Sequence, residues 1–180
     1  EAVPGLTFYS QYATAADPAV TTIFNMSPTR PIELTTARTY ETGVKGLFWD
    51  NRAEWLLSIY DIERKNVYAP TGPRGAVDVA GKQVSQGVEI SGAVRPTDQW
   101  TFWGNAAWTR ARFEDFSTVN FDANGKTPPN VPRFVGNAGA SYRFKTPWPV
   151  EVGASVRHAD DRSVYYDNEV TMLAYTTADA

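Results

Sequence analysis

The chain has 180 residues, 42 % hydrophobic and 13 % aromatic, with 12 prolines, 13 glycines and a net charge of −3. With no cysteine and one histidine, disulfides, thiolate metal sites and histidine-cluster metal centres are excluded. The slight acidity argues against a nucleic-acid partner, and no stretch approaches the roughly 18 apolar residues of a spanning helix.

From the N-terminus, strand-like runs are predicted at about 6–14, 37–49, 54–67, 82–95, 100–113, 133–144 and 150–159, with an eighth starting near 169. Turn-rich clusters at 1–5, 50–53, 95–99 and 145–149 alternate with longer polar stretches at 15–36, 68–81 and 114–132. In 40–48, Tyr40, Val44 and Phe48 oppose Glu41, Gly43 and Lys45. In 84–94, Val84, Val88, Ile90 and Val94 oppose Ser85, Gly87, Glu89 and Ser91, with Gln86 interrupting the apolar row. In 134–144, Phe134, Ala138, Ala140, Tyr142 and Phe144 oppose Asn137, Ser141 and Arg143. In 150–157, Val150, Val152, Ala154 and Val156 oppose Glu151, Gly153, Ser155 and Arg157. The run 54–67 alternates only from Tyr60 onward. A period of two means strand with one apolar and one polar face. The fold class is therefore all-β, an antiparallel meander of about seven or eight long strands.

Alternation does not say which face is wet. A soluble sandwich hides its apolar face, whereas a membrane barrel turns it to lipid, and the negative mean hydropathy suits both. Three features favour the barrel. The runs are about 10 to 14 residues, beyond the usual five or six and sufficient for a tilted crossing. Tight connections alternate with long ones, as in outer-membrane barrels. Trp49, Trp55, Trp100, Trp103 and Trp148 lie near the short turns, as one interfacial aromatic girdle requires, while Trp108 lies inside a run. A charge facing lipid at the midplane costs about 2–4 kcal/mol for Lys or Arg. Glu41, Lys45, Glu89, Arg143 and Arg157 are therefore expected to face the lumen or lie near an interface. The alternatives are a soluble β-propeller, since turn clusters recur every 45 to 50 residues or so, and a carbohydrate-binding β-sandwich.

No catalytic constellation emerges. His158 lies near Asp160 and Asp161 without a nucleophile motif. Asp61 and Glu63 are read as lumen charges rather than paired glycosidase acids. Asp160, Asp161, Asp167 and Glu169 lack a calcium-loop pattern. Gly72-Pro73-Arg74-Gly75 and Gly125-Lys126-Thr127 lack phosphate-loop spacing. Neither an enzyme activity nor a metal site is expected.

The stretch TYETGVKGLFWDNRAEWLLSIYDIERKNV (39–67), above all its Tyr-Glu-x-Gly-x-Lys core at 40–45, resembles a hairpin of TonB-dependent outer-membrane receptors of the ferric-siderophore type. GKQVSQGVEISGAVRPTDQWTFWGNAAWTRARF (81–113), GKTPPNVPRFVGNAGASYRF (125–144) and VEVGASVRHADDRSVYYDNEVTMLAYTTADA (150–180) resemble the hairpins that follow it. The resemblance covers nearly the whole chain and implies that 1–180 is a partial β-barrel domain, from the C-terminal part of a 22-stranded barrel in the bacterial outer membrane. The plug domain, its energy-coupling box and the final strands fall outside the match. Such a receptor binds a ferric siderophore and imports it with energy from TonB acting on the plug, so the implied partners are the chelate, TonB and outer-membrane lipid. It needs no cofactor, since iron arrives only as the bound chelate. Aromatic and cationic side chains in the long loops suit a bulky anionic chelate, which points to Tyr68, Arg74, Phe121, Tyr165 and Tyr166.

Overall fold

The computed structural model describes residues 5–17, 33–70, 77–117 and 121–180. Eight strands form one antiparallel sheet: β1 (Leu6–Asp17), β2 (Thr35–Phe48), β3 (Ala53–Pro70), β4 (Val77–Val94), β5 (Trp100–Glu114), β6 (Phe134–Arg143), β7 (Glu151–Ala159) and β10 (Tyr175–Asp179). β8 (Arg162–Ser163) and β9 (Thr171–Met172) pair with each other inside the connection from β7 to β10. Strands adjacent in the sheet are consecutive along the chain apart from that excursion, which is the predicted meander. β1 and β10 are the edges of this open sheet.

The short turns 49–52, 95–99 and 144–150 share one end of the sheet, and the longer connections share the other. The first turn places Trp49, Asp50 and Asn51 at φ of 59°, 51° and 65°. Asp and Asn tolerate that left-handed region better than most residues, and the Arg52 N–H donates to the Trp49 carbonyl at 2.9 Å to close the corner.

One prediction needs correction. The stretch 68–81 is mostly strand rather than loop, because β3 continues to Pro70 and β4 starts at Val77. A bulge absorbs the polar residues that read as a strand end. The register shifts between Arg64 and Val67 and again between Val67 and Tyr68, with Asn66 at φ 55° and Gly81 at φ 152°. Thr35 pins the bulge by donating to the Asn66 carbonyl at 2.8 Å, and the Asn66 amide donates to the Leu34 carbonyl at 3.1 Å. At 18 residues each, β3 and β4 exceed the roughly 9–11 that a tilted crossing needs, so they extend well past the membrane at the loop end.

Register assigns the faces, since directly paired residues project to the same side. Glu41 pairs with Tyr60, Tyr60 with Gly87 and Gly87 with Thr109, a polar row. Thr42 pairs with Ile59, Ile59 with Val88, Val88 with Trp108 and Trp108 with Phe134, a largely apolar row on the opposite face. The apolar face is uncovered: Ile59 is 52 % exposed and Val152 55 %. The small buried core lies instead at the loop end, around Ala69, Ala80, Phe113, Phe116 and Ala123. A soluble sandwich would bury the apolar face against a second layer. This sheet is built the other way round.

Two aromatic bands cross the apolar face. Near the short turns, Phe48 stacks on Trp55 at 6.3 Å, and Trp100 meets Phe102 at 5.4 Å and Tyr142 at 4.9 Å. Toward the loops, Tyr12 meets Tyr40 at 4.9 Å and Trp108 meets Phe134 at 4.8 Å. Tyr40 and Phe48, Trp100 and Trp108, and Phe134 and Tyr142 are each eight positions apart. Eight residues span about 27 Å of strand, or roughly 20 Å of height at a tilt near 40°, close to the apolar band of an outer-membrane barrel. The single predicted girdle is thus one of two, and Trp108 belongs to the second. The five tryptophans near the turns divide. Trp55 and Trp100 join the inner band, Trp49 and Trp148 sit in turns, and Trp103 projects to the polar face, where it packs on Gly139.

Candidate functional site at the loop end of the polar face

Phe113 pairs with Gln83 on the polar face at the loop end. Its ring stacks on Phe116 at 3.9 Å, and Tyr166 lies 5.7 Å from Phe113, 5.8 Å from Phe116 and 5.3 Å from Phe121. The described parts of two distant connections, 115–117 with 121–133 and 160–174, are thereby packed together over the polar side of the sheet. Hydrogen bonds lock them. The Asn168 amide donates to the Thr127 and Tyr165 carbonyls and accepts from the Thr127 N–H at 2.8 Å. Lys126 donates to the Asp167 carbonyl at 3.0 Å, and Arg162 to the Asn130 side chain at 2.6 Å. Asn168 and Asn130 take positive φ, 59° and 62°, where asparagine is among the better tolerated residues. Burial pushes the Tyr166 phenol above its usual pKa.

The five predicted ligand contacts are not gathered into one cluster. Phe121 and Tyr166 turn their rings to each other. Tyr68 is tied to Glu33, donating to its carbonyl at 2.8 Å and accepting its N–H at 3.1 Å. Tyr165 is 56 % exposed beside the packed loops. Arg74 lies outside the described residues. The loop core, with Phe113 and Phe116, escaped sequence reading because its aromatics are divided between the end of β5, the connection after it and the distant connection that carries Tyr166. Only the folded loops bring them together.

All five predicted polar residues fall on the polar face. Glu41 accepts from the Tyr9 hydroxyl at 2.5 Å. Lys45 and Glu89 are exposed. Arg143 pairs with Glu151 across the β6–β7 ladder at 3.0 Å. Arg157 donates to Asn137 at 2.8 Å, and Asn137 to Asn105 at 2.9 Å, a polar ladder over three strands. Asp61 and Glu63 differ from expectation. They share a face with Leu57 and Ile59, not with Tyr60. The apolar row turns charged there because Asp61 is paired with Tyr40 of the outer aromatic band and Glu63 lies beyond it. His158 is on that same side, accepting or donating with Thr176 at 2.8 Å and lying 3.3 Å from Asp160 and 6.0 Å from the Phe134 ring. Among the described residues, no group of three or more His, Asp or Glu side chains converges on a metal-sized point.

A sheet of long meandering strands with an uncovered apolar face, two aromatic bands and loops packed over its polar side defines a segment of a transmembrane β-barrel. The chain belongs to the family described as TonB dependent receptor-like, beta-barrel, whose model matches residues 1–180. That family occupies the bacterial outer membrane, and its members are transporters rather than enzymes. A ferrioxamine receptor from Yersinia enterocolitica is 23 % identical over 176 residues, covering 98 % of this chain and 24 % of that protein. Among solved structures, the siderophore receptor PiuA from Acinetobacter baumannii superposes with a TM-score of 0.79 at 20 % identity, over 98 % of this chain and 27 % of that one. The ferric yersiniabactin uptake receptor FyuA from Yersinia pestis gives 0.78 at 18 % identity, with the same shares of the two chains. This chain thus spans about a quarter of the length of the relatives it matches. The solved structures match at the level of fold.

Proposed function

We propose that this chain is part of the barrel of a receptor that binds a ferric siderophore at its outer face and imports it with energy delivered by TonB through a plug domain. Iron enters as chelated cargo, and no catalytic step falls to the barrel. The polar face lines the lumen, and the loop end meets the cargo. Family membership supports the reading, as do relatives whose names tie them to ferrioxamine and yersiniabactin. The observation that supports it is the locked pair of loops over the polar face, beside which Tyr165 stays exposed. A bulky anionic chelate fits an exposed aromatic ring on a pre-organised loop.

The test is a panel of ferric hydroxamate, catecholate and mixed siderophores presented to the full-length receptor, reading intrinsic fluorescence quenching and iron-limited growth of a receptor-deleted strain. At least one chelate is expected to bind at micromolar concentration or better and to restore growth only when TonB is present. Tyr165→Ala is expected to weaken that binding by roughly two- to tenfold, the range of a lost aromatic contact. Binding of heme, cobalamin or a sugar in place of every ferric siderophore would refute the cargo assignment.

A further inference from the structure

Arg162, in the connection from β7 to β10, carries a donor that nothing satisfies. Its Nε donates to the Asn130 side chain at 2.6 Å, and its guanidinium lies 5.4 Å from the centre of the Tyr175 ring. Nη1 is covered and has no hydrogen-bond partner. Arginine does not shed its proton, so the donor stays charged. A covered charged donor without an acceptor is destabilising and calls for a reason. Four other arginines meet carboxylates: Arg38 meets Glu63, Arg52 meets Asp98, Arg112 meets Glu114 and Arg143 meets Glu151. Arg162 has a neutral amide and a ring. Asp160 lies against His158 instead, at 3.3 Å. Asp161 is exposed and pairs with no cation among the described residues. The segments 18–32, 71–76 and 118–120 contain no aspartate or glutamate.

Register puts this group on the polar face. Tyr175 pairs with Ala159, two residues from Arg157 on that side, so Arg162 stands at the loop end of the polar wall. Two more guanidiniums share the wall without a carboxylate partner among the described residues. Arg157 donates to the Asn137 side chain at 2.8 Å. Arg133 lies opposite Thr109, whose N–H donates to its carbonyl at 2.9 Å, and its own side chain is exposed. Three cations with neutral partners or none on one stretch of wall suit an anion that arrives from outside. A carboxylate matches the free end of a guanidinium, one oxygen to each terminal nitrogen. Nη1 has no hydrogen bond to lose, so turning that end toward a carboxylate breaks nothing. The Asn130 bond and the Tyr175 ring hold the group beforehand, which leaves little ordering to binding. We infer that Arg162 is a specificity-determining residue of the cargo site and selects ferric chelates that carry a carboxylate not bound to iron. Arg133 and Arg157 add to the same preference. The inference rests on the reading of this chain as part of a ferric-siderophore receptor.

The test titrates the full-length receptor in detergent and reads quenching of its intrinsic fluorescence. The probes are ferrioxamine B capped on its terminal amine with an acetyl or a succinyl group, a ferric citrate-bridged dihydroxamate, and a ferric tris-catecholate. The two capped chelates differ by one carboxylate. At least one carboxylate-bearing probe is expected to bind tenfold or more tightly than the acetyl-capped and catecholate probes. Arg162→Gln is expected to shrink that preference to threefold or less while leaving the affinity for the acetyl-capped probe within threefold. Should Arg162→Gln fail to fold, Arg133→Gln decides the matter. It removes no side-chain bond among the described residues, and it is expected to weaken binding of the carboxylate-bearing probe at least threefold; unchanged binding would overturn the inference. An acetyl-capped or catecholate probe that binds as tightly as every carboxylate-bearing one would overturn it too, and would leave the siderophore reading standing. A receptor that binds none of the ferric chelates would overturn that reading, and this inference with it. An Arg162→Gln receptor that is less stable but keeps its preference would show that Nη1 serves a water or a carboxylate elsewhere in the receptor, which also overturns the inference.

Discussion

Several aromatic rings in this sheet lie flat over a glycine on the neighbouring strand. Tyr9 covers Gly43 and Tyr60 covers Gly87 on the polar face, and Trp103 covers Gly139. These are directly paired positions, so the missing side chain makes room for the ring. Tyr60 gains a second anchor in its 2.8 Å hydrogen bond with Thr109 on β5. Gly87→Val would drive a Cβ into the Tyr60 ring and toward the Trp108 carbonyl. We expect a loss of about 1–3 kcal/mol, the usual penalty for overpacking, seen as a lower urea midpoint for the refolded receptor. Gly125→Ala is the control: nothing lies within 4 Å of the added methyl, but φ is +75°. Its cost should be only the roughly 1–2 kcal/mol of a left-handed non-glycine residue. A midpoint for Gly87→Val equal to wild type would show that the ring has another place to go. None of these pairs was legible in the sequence, because each glycine gains its role only once the register sets which ring faces it.

At the scale of elements, seven of the eight sheet strands were legible, since alternation over ten or more positions is a strong signal. The eighth was set near 169, whereas residues 160–174 hold the β8–β9 pair and β10 begins at Tyr175. The same segment makes the loop lock, and Asn168 is its clasp. Its three side-chain hydrogen bonds reach Thr127 and Tyr165, and the two to Thr127 cross 41 residues, a contact that no local pattern announces. Asn168→Ala removes all three and adds strain at φ 59°. The expected local cost is about 1–3 kcal/mol, with faster hydrogen exchange in 121–130 and 162–172 and little change in β4 or β5. Phe116→Ala opens the same lock from its apolar side. Its fully buried ring predicts a cost of about 3–5 kcal/mol, so the unlocked loops should also become sites of limited proteolysis. Protection unchanged in both variants would mean that the loops are held by something other than this cluster. The predicted contacts Phe121 and Tyr166 belong here too. Sequence placed them correctly in the loops, but residue type alone does not distinguish a ring that meets cargo from one that meets another ring.

For the whole molecule, the decisive variable is the medium against the apolar face. A sheet in water cannot leave Ile59, Val88, Ile90 and Val156 uncovered along its length, at about 25 cal/mol for each Å² of apolar surface. In lipid that face needs no second layer, while the barrel must close so that no backbone N–H or C=O is left unpaired. Ile90 and Ala106 are paired on that face between the aromatic bands, so Ile90→Arg is expected to destabilise the assembled barrel by about 2–4 kcal/mol. Asn105→Arg, one residue along β5 but projecting to the polar side, should cost less than about 1 kcal/mol. Urea titration of receptor folded into liposomes gives both numbers. Nitroxides at Val152 and Ala154 should collide with dissolved oxygen more than with a water-soluble nickel chelate, and the one at Ser155 should show the reverse. The three positions are neighbours on one strand, so differences in local flexibility are small and the contrast isolates the medium. If the nickel chelate reached Val152 and Ala154 as readily as Ser155, the apolar face would be wet and the membrane orientation of every strand would have to be abandoned.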